Sequence, residues 1–138
     1  MKSSNSFLHS TELANVDYPY VRRVPAEMDL LFLAGACPLD QEGKVPFIND
    51  YEHQAKLCVE NLKQVLKESG ASLQNVVYTR VIVVTNQQKD LVTVWEAVKK
   101  EFDGHDVPST LSGVTVLGYS HQLVEIEAIA ALDGKRGC

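Results

Sequence analysis

The chain has few of the residues that mark several common protein classes. Its 138 residues include only 3 cysteines and no Cys-x-x-Cys pair, so neither a disulfide framework nor a cysteine zinc site is expected. The 4 histidines lack the spacing of a metal site. No apolar run reaches the roughly 18 residues of a membrane helix, and the N-terminus does not resemble a signal peptide. We therefore expect a cytoplasmic protein without membrane association or a bound metal.

Basic residues are outnumbered by acidic ones. Lys and Arg total 13 against 18 Asp and Glu, which gives a net charge of −5. This balance disfavours nucleic acid as a partner, because such binding depends on clustered cations. A composition of 45% hydrophobic and 22% charged residues is typical of one globular domain. We assign a single domain to residues 1–138, with an N-terminal arm at 1–18, a core at 19–132 and a tail at 133–138.

Two segments show the apolar spacing of helices packed on one face. They lie at residues 51–66 and 91–102, and glycine follows each one. Asn49 is the expected N-cap of the first helix and Asn86 that of the second. Cys58 lies on the first apolar stripe, so we expect a small buried hydrophobic residue there rather than a reactive thiol.

Five segments have strand-like composition, at residues 20–24, 29–35, 76–84, 111–117 and 122–132. We expect the first two to form a hairpin. The order β-β-α-β-α-β-β predicts an α+β fold, with two helices on one face of a mixed sheet of five or six strands. Residues 76–84 are largely apolar on both faces, which predicts a homo-oligomer that covers the sheet face without helices.

The last predicted strand places Glu125 and Glu127 on one face among apolar neighbours. One interpretation is a solvated face of an edge strand. The other is that burial and like-charge proximity produce a carboxyl group able to pass protons to water or a substrate. In that case one glutamate would be the working acid or base.

Two further segments are candidates for ligand binding. Thr110 and Ser112 offer hydroxyls at the start of a strand, but no nucleophile-elbow motif or histidine base accompanies them, so we expect them to bind rather than attack. Gly35 lies between two alanines at the end of a strand, where a ligand could closely approach the backbone.

The sequence resembles the reactive-intermediate deaminase family, also called RidA or YjgF, over about residues 19–131. The most specific match is Glu125-Ile126-Glu127-Ala128 at its spacing from Pro108. The other matching residues are Leu33-Ala34-Gly35, Pro38-Leu39-Asp40, Gln54, Asn61-Leu62, Gly70-Ala71-Ser72-Leu73, Val76-Val77 and Ile129-Ala130.

The resemblance implies a chorismate-mutase-like subunit and a homotrimer with small-molecule clefts between subunits. It also implies hydrolysis of reactive enamines or imines to ammonia and a 2-keto acid, without a cofactor or metal. Glu125 corresponds to the glutamate that activates or positions water, which makes it the candidate catalytic residue. Tyr20 corresponds to a retained family tyrosine.

At several positions the sequence departs from the family pattern, which affects how many of the family's functional residues can be assigned to this chain. Thr110 stands where family members bind the substrate carboxylate with an arginine, Ser112 replaces a frequent cysteine, and Ala34 replaces a serine. Trp95 aligns with a family asparagine. Loss of a charge-assisted bond of roughly 1.5–3 kcal/mol weakens carboxylate binding by one to two powers of ten. The candidate ligand-binding residues are thus Tyr20, Gly35, Trp95, Thr110 and Ser112.

Arg22 and Arg80 lie on predicted strands, where they could supply a cation or form salt bridges. The sequence leaves two main hypotheses for function. One is an imine- or enamine-hydrolysing enzyme using Glu125, and the other is a metabolite-binding trimer that has lost deaminase activity. A third, a surface for a protein partner, has no specific sequence support.

Overall fold

Two helices and six strands form the part of the chain that the structure describes. The computed structural model describes residues 7–134, so residues 1–6, most of the predicted tail and Cys138 lie outside it. A short 3₁₀ helix at Leu73–Asn75 precedes the fourth strand. The elements are β1 (Phe7–Leu8), β2 (Val21–Arg22), β3 (Met28–Ala36), α1 (Tyr51–Glu68), β4 (Val76–Val84), α2 (Gln88–Phe102), β5 (Ser109–Val114) and β6 (Val124–Asp133).

The main sheet is mixed and has the strand order β3-β6-β4-β5. The β4–β5 pair is parallel, while β6 pairs antiparallel with both β3 and β4. The expected count of five or six strands is therefore wrong, since this sheet has four. The expected hairpin is also wrong, because β2 pairs with β1 instead of β3. Pro25 gives a physical reason, since it has no N–H to donate to a ladder and accepts a turn bond from Met28.

Both helices cover the same face of this sheet, as predicted. Helix α1 packs on β6 and β3, helix α2 packs on β4 and β5, and the helices contact each other. Cys58 is fully buried in the core between them, as expected from its place on the apolar stripe. The largest fully buried apolar side chains of the core are those of Val59, Leu62, Leu66, Val76, Val81, Val83, Val94, Val124 and Ile126.

The helix N-caps differ from the expected residues. Asp50 caps α1 by accepting a bond from the His53 backbone N–H, whereas the predicted cap, Asn49, has a φ of 61°. Gln87 is the N-cap of α2 and makes no capping side-chain bond. Instead of Asn86, Thr85 stabilises this turn by accepting from the Gln87 N–H and donating to Asp90.

The opposite sheet face, here called the open face, is covered by neither helix in the described part of the chain. Phe32 on this face is 73% exposed and Leu30 is 46% exposed. Strand β6 carries Glu125 and Glu127 on the open face and lies between two other strands. The interpretation of these glutamates as residues of an edge strand is therefore wrong.

Candidate functional site

Glu125 is held against the backbone of Gly35. The register between β3 and β6 shifts between Leu33 and Ala36, and this irregularity brings Gly35 next to the glutamate. A Cβ on Gly35 would overlap Glu125 Oε2 and lie only 2.6 Å from its Cδ. Only glycine therefore leaves room for this carboxylate at its present position.

The other carboxylate oxygen of Glu125 has two hydrogen-bond donors. The Gln122 Nε2 donates to Oε1 over 3.2 Å, and the Cys37 thiol lies 3.7 Å from the same oxygen. Gln122 is only 4% exposed, and its amide also binds the Tyr119 N–H and the Val124 carbonyl. Because the amide is anchored by these bonds, it fixes one edge of the carboxylate.

The electrostatics at Cys37 favour the protonated thiol. Partial burial raises the pKa of the Cys37 thiol, and the negative charge of Glu125 raises it further. The thiol also points to the Gly35 carbonyl, 3.5 Å away. At neutral pH, Cys37 is thus a hydrogen-bond donor to the site rather than a thiolate.

Glu127 lies two residues farther along β6 in a more solvated setting. Its Oε1 is 3.7 Å from the Arg80 Nη1, and the two side chains are 43% and 47% exposed. Arg80, one of the two candidate cations, is therefore an ion-pair partner of Glu127. The other, Arg22, stacks its guanidinium 4.6 Å from the centre of the Phe7 ring.

Thr110 and Ser112, the two hydroxyl residues predicted to bind a ligand, lie on β5, at the edge of the sheet opposite to β3. Thr110 pairs in register with Arg80, and Ser112 with Ile82, while the Tyr78 hydroxyl lies 3.2 Å from the Thr110 Oγ1. Strand β4 separates these residues from Glu125. Two strand spacings amount to about 9–10 Å, and the Glu125 carboxylate turns toward β3, away from them.

The remaining two candidates, Tyr20 and Trp95, form a group apart from Glu125. The ring of Tyr18 lies 6.1 Å from Tyr20 and 6.0 Å from Trp95. The Trp95 indole N–H donates to the Asp17 carboxylate over 3.1 Å, so the segment around Asp17 packs against helix α2. One subunit thus places the six candidate residues in three separate groups.

Two cavities lie near these groups. One, beside Trp95 and Thr79, has a volume of about 20 Å³, which suits a water molecule better than a metabolite. The other has a volume of about 280 Å³ and borders Gly35 and Cys37, with Leu39, Asn61 and Tyr119 around it. The larger cavity therefore lies next to the Glu125 surroundings and is of small-metabolite size.

Cys37 and Gln122 were not predicted from the sequence as neighbours of Glu125. Gln122 precedes the glutamate by three residues, which is the only available sequence signal. Cys37 lies close to Glu125 only because β3 pairs with β6. Within residues 7–134 no cluster of three or more His, Cys, Asp or Glu side chains could hold a metal ion. No helix in the same range is long and apolar enough to cross a membrane.

The chain matches a family model over most of its length. The model described as Endoribonuclease L-PSP matches residues 11–132. A RutC family protein of Pyrococcus abyssi, PYRAB12510, is 33% identical over 102 residues, which cover 74% of this chain and 78% of that protein. TdcF of Escherichia coli, provisionally named a reactive intermediate deaminase, is 32% identical over 81% of this chain and 85% of its own length.

Solved structures give the same fold. YyfB of Yersinia pestis, described as a Rid family protein of unknown function, superimposes with a TM-score of 0.84 at 24% identity, covering 91% of this chain and 97% of that one. The crystal structure of E. coli TdcF with bound serine superimposes with a TM-score of 0.66 at 27% identity, covering 91% and 98%.

Proposed function

This chain belongs to the Endoribonuclease L-PSP family, which includes the RidA and YjgF proteins, and from that premise we propose that it hydrolyses a reactive imine or enamine. The observation that carries the proposal is the Glu125 carboxylate, fixed through Oε1 and packed against Gly35. A carboxylate held in this way can take a proton from water as the water attacks an electrophilic carbon.

The proposed reaction balances with water as the only co-reactant. An enamine first tautomerises to its imine. Water then adds its oxygen to the C=N carbon, its proton passes to Glu125, and the electron pair of the C=N bond goes to nitrogen. The same proton returns to the nitrogen, which gives a carbinolamine. Glu125 then takes the hydroxyl proton of the carbinolamine and delivers it to the nitrogen as the C–N bond breaks, so that ammonia and a carbonyl compound are released. Glu125 therefore acts first as a base and then as an acid.

A PLP-dependent dehydratase coupled to this protein would test the reaction by following 2-keto acid release. We expect release above the buffer control. The substitution Glu125→Gln should lower the rate by roughly 10²–10⁴, the usual contribution of a general acid–base group. The matched control is Glu127→Gln, which removes the neighbouring carboxylate and should change the rate by less than about three-fold. Equal loss in both variants would contradict the role assigned to Glu125.

We also propose that the working site combines two subunits of a homotrimer. The exposed Leu30 and Phe32 on the open face support association. The separation of Glu125 from Thr110 by β4 supports a shared cleft, with the Gly35–Glu125 side from one subunit and the Thr110 edge from its neighbour. In sedimentation equilibrium, a 15.3 kDa species at micromolar concentration would contradict the trimer.

A mixing experiment tests the shared cleft directly. Glu125→Gln and Thr110→Trp each damage a different side of the proposed cleft, so each pure trimer should be inactive. In co-expressed mixed trimers, some clefts would combine the intact Glu125 of one chain with the intact Thr110 of another. We expect activity to return there. If it does not return while the mixed trimers form, both sides belong to the same subunit.

A binding protein without deaminase activity is the second candidate function. Thr110, which offers a hydroxyl and no charge, supports it because a substrate carboxylate would lack an arginine partner. TdcF with bound serine indicates an amino-acid-sized ligand for a relative. If keto-acid release equals the buffer control while a metabolite raises the Tm of wild type but not of Thr110→Trp, this second function is supported. Gain of release in Thr110→Arg would show that only the carboxylate contact is missing.

A further inference from the structure

We propose that Cys37 and Gln122 are positioning residues that hold Oε1 of Glu125, so that Oε2 is the oxygen that exchanges the proton with water. This inference rests on the proposed hydrolytic function. Both donors approach the same oxygen, Gln122 over 3.2 Å and Cys37 over 3.7 Å. Oε2 instead lies against Gly35, where there is no side chain. The two carboxylate oxygens therefore have different surroundings and different tasks.

The two donors come from separate parts of the fold. Cys37 follows directly after β3, whose last residue is Ala36, and Gln122 lies just before β6. The Cys37 carbonyl accepts a bond from the Asn61 amide on α1, which fixes the backbone below the thiol. Gln122 is fixed by the Tyr119 N–H and the Val124 carbonyl. Oε1 of Glu125 is consequently held by two groups that are themselves anchored.

A thiol suits this position because it donates without adding charge. An arginine or lysine would neutralise the carboxylate and reduce its ability to accept a proton. The titratable groups facing Cys37 are Glu125 and the buried Cys58, and neither would stabilise a thiolate. The S–H bond remains intact throughout the proposed reaction, and both protons that pass from water to nitrogen do so through Oε2.

Substitutions at Cys37 separate a positioning role from a merely structural one. Cys37→Ser keeps a donor at the same place, whereas Cys37→Ala removes it. We expect Cys37→Ala to lower kcat about ten-fold with KM nearly unchanged, which corresponds to one lost hydrogen bond to a charged group. Cys37→Ser should recover most of the rate. Equal kcat values for Cys37→Ala and wild type, at equal Tm, would overturn the proposal.

A second measurement needs no catalytic activity. The thiolate absorbance of wild type is followed against pH, and the trace of Cys37→Ser is subtracted to isolate the Cys37 thiol. Because the Glu125 charge raises the pKa of Cys37, the substitution Glu125→Gln should lower that pKa. Glu127→Gln is the matched control and should leave it in place.

These two measurements distinguish failure of the inference from failure of the proposed function. If Glu125→Gln leaves the Cys37 titration unchanged, the contact that we infer does not exist, whatever the activity. If the titration shifts but no imine or enamine is hydrolysed, the proposed function fails while the contact between Cys37 and Glu125 is supported. A shifted titration together with a lower kcat in Cys37→Ala supports both.

Discussion

The surroundings of Glu125 and Glu127 differ although the two residues share one strand and one sheet face. Glu125 has a buried amide and a thiol on one oxygen and the Gly35 backbone against the other. Glu127 is paired with the exposed Arg80 at 3.7 Å. Fixed donors can hold a carboxylate for catalysis, whereas an exposed ion pair is readily exchanged for water. Glu125 is thus held in one position by residues of β3 and of the loop before β6, whereas Glu127 is not.

Among substitutions of the residues around Glu125, the largest effect is expected from inserting one methyl group at Gly35. In Gly35→Ala the new Cβ would overlap Oε2 and force the carboxylate to move. Displacing a reacting group by about 1 Å can cost roughly 100-fold in rate. Because the end of a side chain can move aside, we expect the free energy of unfolding to change by less than about 1 kcal/mol. Rates in the coupled assay and urea unfolding check these two expectations.

Two other glycines provide controls for this prediction. A Cβ on Gly118 would meet nothing within 4 Å, so Gly118→Ala should preserve both rate and stability. A Cβ on Gly113 would lie 2.7 Å from the backbone carbonyl of Thr85, which cannot turn aside as a side chain does. Gly113→Ala should therefore lower the stability by about 1–3 kcal/mol. A stability loss in Gly35→Ala as large as in Gly113→Ala would contradict the role assigned to the carboxylate.

The sequence was sufficient for the helices and most of the long strands, but not for the difference between the two glutamates. Helical spacing identified the stripe that contains Cys58 and Leu62, because burial of one helix face leaves a regular pattern. The alternation of side chains along a strand also correctly placed Glu125 and Glu127 on the same sheet face. Cys37 is 88 positions from Glu125, so no local pattern links them. Their contact depends on the register shift in β3, which tertiary pairing determines.

A smaller effect is expected when the anchored amide is removed from the Glu125 surroundings. Gln122→Leu keeps a side chain of similar size but leaves the buried Val124 carbonyl and Glu125 Oε1 without the amide. An unsatisfied buried polar group costs about 1–3 kcal/mol. We therefore expect urea unfolding to show a loss of about 2 kcal/mol. An unchanged midpoint and slope would mean that water replaces the amide and that Glu125 is less firmly held than we infer.

Asp50, the N-cap of α1, is a carboxylate held by hydrogen-bond donors outside the candidate site. The His53 backbone N–H that it accepts lowers the pKa of Asp50. Since the folded pKa lies below the unfolded value of about 3.9, this stabilisation is present above that pH and is lost as pH falls through the folded value. Asp50→Ala should cost about 1 kcal/mol at neutral pH. Asp50→Asn should keep much of the cap but remove its pH dependence, as measured by thermal unfolding across the acid range.

The smallest effect is expected at Glu127, the other side of the comparison. Arg80→Gln removes its ion-pair partner, and exposed pairs contribute about 0.2–1 kcal/mol, which salt screens. The free energy of unfolding of the isolated chain should therefore fall by at most that amount, and the decrease should become smaller as salt is added. If wild type sediments as the proposed trimer and the variant as a monomer, Arg80 and Glu127 are buried by a neighbouring subunit, since breaking an ion pair that is shielded from water costs several times more. Unfolding and sedimentation of Arg80→Gln at low and high salt thus decide whether Glu127 is solvated or lies in an interface between subunits.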